Sequence, residues 1–269
     1  MSSKAFVVGV ASYADPKNNL QGVNADIPAI VATLGKFGIA DVEVLRDANA
    51  TAQGVMNGLN KLVTGAKKGD VRVFYFSGHG VLLPPDFSGG DDADGRDEAL
   101  VPYEGTVTTL ILDNWIAGFL KTKIPADVAF WGIYDSCHSG DIFKAATVAG
   151  VVPDEVAKQV AFDDLILDGP PSLRLPRANA ISTKALVLDG TIPTSFHLAA
   201  AEPQKSALCK TIDGLNRSVF TWALSSVAQP GMSVADFEAA VTQKSGQQTT
   251  QHTPQIACAP SNKNRKLFT

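Results

Sequence analysis

The chain has 269 residues, 45% hydrophobic and 19% charged, with a net charge of −4 and three cysteines. That length can bury the core of one large α/β domain; the acidic balance without a basic run argues against a nucleic-acid partner. Cys137, Cys209 and Cys258 show no Cys-x-x-Cys spacing, which argues against zinc and disulfide frameworks and fits a reducing compartment. The first sixteen residues hold one lysine and a brief apolar run, too short for a secretory signal core or a membrane span, so the expectation is a soluble cytoplasmic protein with no membrane partner.

In chain order, Phe6 to Val10 is a continuous β-branched run that suits a buried parallel strand. Ile27, Ile30, Val31, Leu34 and Phe37 then recur at helical spacing, with Asp26 in the position of an N-cap and Pro28 in the first turn. Val42 to Leu45 reads as a second strand, and Thr51 opens a helix carrying Val55, Met56, Leu59, Leu62 and Val63 on one face. A third strand is expected over Val71 to Phe76. Residues 82–103 turn to proline, glycine and acids, with no period for a strand or helix. A helix from Asp113 and a fourth strand, Ala129 to Tyr134, follow. Residues 146–189 lack a sustained period and read as a mobile linker rich in prolines and basic residues. Beyond it come a fifth strand over Phe196 to Ala200, a helix through Val219, Phe220, Ala223, Leu224 and Val227, another opened by Ser233, and a last strand over Gln255 to Ala257. The alternation predicts a mainly parallel sheet covered on both faces, with its site at the carboxyl ends of the strands.

Two strand ends carry chemistry. VRVFYFSGHG, Val71 to Gly80, ends on a histidine between glycines, and YDSCHSGD, Tyr134 to Asp141, places a cysteine just past an apolar run. Side by side in a parallel sheet, they would bring His79 and Cys137 to one edge, the minimum for a thiol nucleophile with a proton acceptor. The amides of Gly80 and Cys137 could then form an oxyanion hole. Taken singly, Cys137 reads first as a small buried hydrophobe and His79 as an ordinary loop histidine, and it is their shared place at the ends of apolar runs that counts against coincidence. Cys209 and Cys258 have no histidine-bearing strand end nearby.

SGHG at Ser77 to Gly80 and DSCHSG at Asp135 to Gly140 resemble the catalytic motifs of the metacaspases and their prokaryotic relatives, the orthocaspases, in the caspase-like cysteine peptidase clan. LQGVNAD, DGRDEALVPYE, FHLAAAEPQKSA, NRSVFTWAL and TPQI resemble further elements of that family. The resemblance implies a caspase-like α/β fold, with a sheet of about six mainly parallel strands. It divides one domain into a large segment, residues 1–145, a flexible linker, 146–190, and a small segment, 191–269. It also implies an endopeptidase with Cys137 as nucleophile and His79 as base and acid, cleaving after arginine or lysine. Asp26, Ser77 and Asp135 would line the pocket for the cationic side chain, since an ammonium or guanidinium needs carboxylates at its end. His138 is expected to be a non-catalytic neighbour.

Such a peptidase would need no organic cofactor and would act on peptides or proteins as a monomer or weak dimer. Calcium is a candidate ion: Asp94 and Asp113 match family ligands, but Asn114 and Lys144 stand where acids are usual, so the acidic loop reads equally as a hydrated loop. Lys144, Lys158, Arg174, Arg177 and Lys184 in the linker are candidate sites of self-cleavage. The competing expectations are a catalytically silent caspase-like scaffold or dimerisation module and, less favoured, a redox role for Cys137.

Overall fold

The computed structural model describes residues 1–84, 98–137, 155–166, 168, 194–201, 206–250 and 253–269. Its centre is a six-stranded sheet built from β1 (Ser3–Gly9), β2 (Asp41–Arg46), β3 (Val71–Ser77), β7 (Ala129–Asp135), β9 (Ser195–Ala199) and β12 (Gln255–Cys258). The spatial order is β12-β9-β7-β3-β1-β2, and every pairing is parallel except β12 with β9. The innermost strands are buried along their length, Phe74, Tyr75, Phe76, Phe130 and Trp131 having no exposed surface, which is why they read as continuous apolar runs rather than as alternating ones.

Helices cover both faces. A Cβ on Gly58 of α2 (Ala52–Val63) would strike the Phe6 ring, and one on Gly9 would strike Ile27 of α1 (Val23–Lys36). Residues 6 and 9 are an odd number apart on β1, so α1 and α2 lie on opposite faces. Contacts join α1 to α4 (Val219–Val227), and α4 to α5 (Val234–Gly246). The remaining helix is α3 (Asp113–Lys123).

Two small sheets flank the carboxyl edge of the main one. One joins β4 (Gly80–Leu82), β5 (Glu98–Leu100) and β6 (Ile111–Leu112); the other joins β8 (Glu155–Ala157), β10 (Leu208–Ile212) and β11 (Leu215–Ser218). Neither follows from periodicity, because strands of two to five residues are too short to show one. Two expectations need correction. β5 lies inside residues 82–103, which were expected to hold no strand, and its hydrogen bonds to β4 and β6 supply what its own sequence does not. Helix α1 begins at Val23 rather than Asp26, so Pro28 sits inside it, and Asp26 caps nothing because its carboxylate is engaged elsewhere. Residues 155–157, within the stretch read as linker, pair with β10.

Candidate active site

Strand register builds the site. Gly9, Ser77 and Asp135 are successive cross-strand partners on β1, β3 and β7, so Ser77 and Asp135 share the face of the sheet that α1 covers. His79 and Cys137 each lie two residues beyond that paired row, on the turns where the chains leave the sheet. The strands are packed closely here: a Cβ on Gly80 would fall 1.9 Å from the Cys137 carbonyl oxygen, so only glycine allows the approach.

Below the turns is a buried acidic pocket. Asp26 from α1 and Asp135 from β7 are 1% and 0% exposed, which would ordinarily be prohibitive for two carboxylates. The start of α4 makes it tolerable. The Ser218 amide donates to Asp26 at 3.0 Å, with the Ser218 hydroxyl beside it, and the Thr221 amide and hydroxyl donate to the other pocket acid, Asp135. The unpaired N–H groups and positive end of one helix thus serve both acids. Ser77 adds a hydroxyl to Asp26 at 2.8 Å, and Tyr75 meets Thr221 at 2.6 Å from below.

The pocket already holds a cation. The Lys158 ammonium, with no exposed surface, lies 3.1 Å from Asp26, 2.9 Å from Asp135, 2.7 Å from the Ser77 hydroxyl and 3.0 Å from the Asp135 carbonyl oxygen. Burial alone would lower its pKa, but Asp135 and Asp26 outweigh that and hold the ammonium well above its ordinary value. Asp26 is itself raised by burial, against the pull of Lys158. The backbone around Lys158 is equally engaged. Its carbonyl oxygen accepts from the Gly80 amide at 3.0 Å and the Cys137 amide at 3.1 Å, its own amide donates to Ala207 at 2.9 Å, and the Val160 amide donates to Gly80 at 3.2 Å. Upstream, Ala157, Val156 and Glu155 pair in antiparallel register with Leu208, Cys209 and Lys210. The segment therefore crosses the site as an added strand, anchored by main-chain bonds on both sides and by one long cationic side chain.

His79 and Cys137 flank that carbonyl. The Cys137 thiol donates to Ala207 at 3.0 Å, and burial pushes its pKa up to about 12. The His79 amide is held by the Tyr13 hydroxyl at 2.6 Å and its ring packs on Tyr13 at 5.0 Å. Nε2 meets the Asn18 carbonyl oxygen at 2.8 Å, so Nε2 carries the proton and Nδ1, buried without a partner, is left as the acceptor. Burial lowers the imidazole pKa to about 4, and the nearby Lys158 charge adds to this. Burial thus favours the neutral form of both groups.

The site thus gathers Asp26, Ser77, His79, Gly80, Asp135 and Cys137. Asp113 opens α3, with Asn114 buried beside it; Asp94, His138, Lys144, Arg174, Arg177 and Lys184 lie outside the described residues. Among the described residues, no three histidines, cysteines or acids gather as a metal group. Cys209 is buried on β10, 3.6 Å from the Ser218 hydroxyl, and Cys258 is buried on β12. Ser218, Thr221, Asn18, Tyr13 and Ala207 were not singled out from the sequence. A serine and a threonine at helical spacing on the otherwise apolar start of α4 were the available sign, but an N-cap accounts for Ser218 equally well. It makes no such cap bond.

The profile of the metacaspase, peptidase C14 domain family matches residues 3–146, more than half of the chain. This chain belongs to the metacaspase family. Metacaspase-6 of Arabidopsis thaliana is 32% identical over 154 residues, covering 54% of this chain and 40% of its own length. Metacaspase-1 of Candida albicans is 27% identical over 150 residues, covering 52% and 33%. The chain thus spans two fifths or less of the length of these curated relatives. Among solved structures, protein GSU0716 of Geobacter sulfurreducens superposes with a TM-score of 0.70 at 22% identity, over 100% of this chain and 99% of that one. Caspase-1 of Spodoptera frugiperda superposes with a TM-score of 0.60 at 12% identity, over 96% and 87%. The caspase-like α/β fold expected from the resemblance is therefore the fold observed, with six strands in the central sheet.

Proposed function

We propose that this metacaspase is a cysteine endopeptidase that cleaves after lysine or arginine, and that its own Lys158–Gln159 bond is a substrate. The observation that carries the proposal is the placement of Lys158, whose ammonium meets both buried carboxylates while its carbonyl oxygen accepts from two amides beside the thiol. Donors around a carbonyl oxygen in a water-free pocket are what a tetrahedral oxyanion requires.

The steps follow from the atoms present. The Cys137 thiol leaves the Ala207 carbonyl and gives its proton to Nδ1 of His79; the resulting thiolate attacks the Lys158 carbonyl carbon. The oxyanion is held by the Gly80 and Cys137 amides. As the C–N bond to Gln159 breaks, the imidazolium returns its proton to the leaving amine, giving a thioester on Cys137 and a free amine on Gln159. Water, deprotonated by the same imidazole, attacks the thioester carbon; the C–S bond breaks, the lysyl carboxylate leaves, and the imidazolium returns its proton to the Cys137 thiolate. Asn18 keeps the proton on Nε2 throughout, so the acceptor stays on Nδ1. In this reading no organic cofactor takes part.

Purified chain should convert to two fragments, residues 1–158 and 159–269, identified by mass spectrometry. Cys137→Ala should remain intact. A wild-type chain that neither cleaves itself nor is labelled by a lysyl or arginyl thiol-directed electrophile would leave the scaffold reading in place. Fragments persisting in Cys137→Ala would assign the cut to another enzyme.

A further inference from the structure

The bound segment also contains a second charged contact, upstream of the cleaved bond. Glu155 lies three residues before Lys158 and pairs in register with Lys210 of β10. The Lys210 ammonium is 2.7 Å from the Glu155 carboxylate and 3.3 Å from the carbonyl oxygen of Gln248, just beyond α5. The Gln248 carbonyl and the chain end of α5 therefore fix the cation from one side, leaving its other side for an incoming acid. Between the two charged positions, Val156 and Ala157 are partly buried apolar residues that pair with β10 and pack against neighbouring hydrophobic side chains, so neither supplies a charged contact.

We infer that Lys210 is a specificity-determining residue that selects substrates with aspartate or glutamate three positions before the cleaved lysine or arginine. The inference rests on the peptidase reading and on the register of residues 155–158 as substrate. Lys210 touches none of the reacting atoms; it acts through the fit of the upstream strand. In an antiparallel added strand the directly opposed side chains are the ones that interact, and β10 presents Lys210 opposite that position whatever peptide lies there. The pair is partly solvated, its side chains 27% and 40% exposed, so its effect is graded and salt-sensitive rather than absolute.

The test is a charge swap in the full chain. Self-cleavage rates are measured for wild type, Glu155→Lys, Lys210→Glu and the double variant, and each single variant should be slower by roughly two- to tenfold at low salt. The double variant should recover most of the wild-type rate. In parallel, processed wild type should hydrolyse a Glu-Val-Ala-Lys reporter with higher kcat/KM than Lys-Val-Ala-Lys, and Lys210→Glu should reverse that order. Equal rates across the four chains, or a double variant slower than either single one, overturn the inference while leaving the peptidase reading standing. If no chain is cut and neither reporter is hydrolysed, the peptidase reading itself fails and takes the inference with it.

Discussion

At the scale of single residues, Asp26 and the two buried histidines among the described residues, His79 and His197, make separable predictions. Asp26 receives donors from Ser77, Ser218 and Lys158. Asp26→Asn keeps its shape but removes a charge facing the substrate cation, so kcat/KM for an arginyl or lysyl reporter should fall at least about a hundredfold, the equivalent of breaking a buried ion pair. Circular dichroism should show the fold retained, and an unchanged rate would remove Asp26 from the pocket. The histidines act on stability instead. Burial depresses His79 to about 4 and His197 to about 3, so the unfolded chain binds protons that the folded one refuses. Stability is full above the ordinary histidine pKa and is lost as pH falls toward the folded values, on the order of 3 kcal/mol per histidine. Thermal midpoints of Cys137→Ala between about pH 7 and about pH 4.5 should therefore drop, and His197→Gln should drop less steeply. Parallel curves for the two chains would refute the histidine origin.

At the scale of elements, β4 and α4 carry the site although neither bears a reacting side chain. Gly80→Ala places a methyl group against the Cys137 carbonyl, and because backbone rather than a flexible side chain opposes it, the two amides on the Lys158 carbonyl must separate. Loss of one oxyanion donor costs about 10²–10³ in rate, so self-cleavage of this variant should be slower by that order while its secondary structure is kept. Thr221→Val removes a hydroxyl that serves both Asp135 and Tyr75. It should cost about 1–3 kcal/mol of stability, measured by denaturant unfolding in the Cys137→Ala background. The legible elements were those with length or periodicity: β3, β7 and α2 stand within two residues of their expected ends, β1 begins three residues earlier than expected, at Ser3, and Thr51 caps α2 by accepting from Gly54 at 3.0 Å. β8 was not legible. Its three residues, EVA, carry no pattern, and it is a strand only because β10 offers it hydrogen bonds. Asp26 misled for a related reason, since an acid near a helix start is ordinarily a cap and only the arrival of α4, 192 residues away, shows its real partner.

At the scale of the molecule, the structure is a chain closed on its own site. Cys137 has no exposed surface and burial pushes its thiol to about 12, so a small alkylating agent should label it slowly near neutral pH. Lys158→Gln removes the ammonium from between the carboxylates; it should stop cleavage at this bond and raise the Cys137 labelling rate at least about tenfold, because the segment loses its main charged anchor. Equal labelling of the two chains would show that the segment is held by its main chain alone. By itself the sequence determined the order along the chain of the six central strands and the helices between them, and the presence of a histidine and a cysteine at two strand ends, since these depend on local periodicity and on motifs a few residues long. Only the tertiary structure decided that Lys158 lies in the pocket, and that the start of α4 holds both acids there. Those facts depend on strand register and on contacts between residues far apart in the chain, which no local pattern encodes.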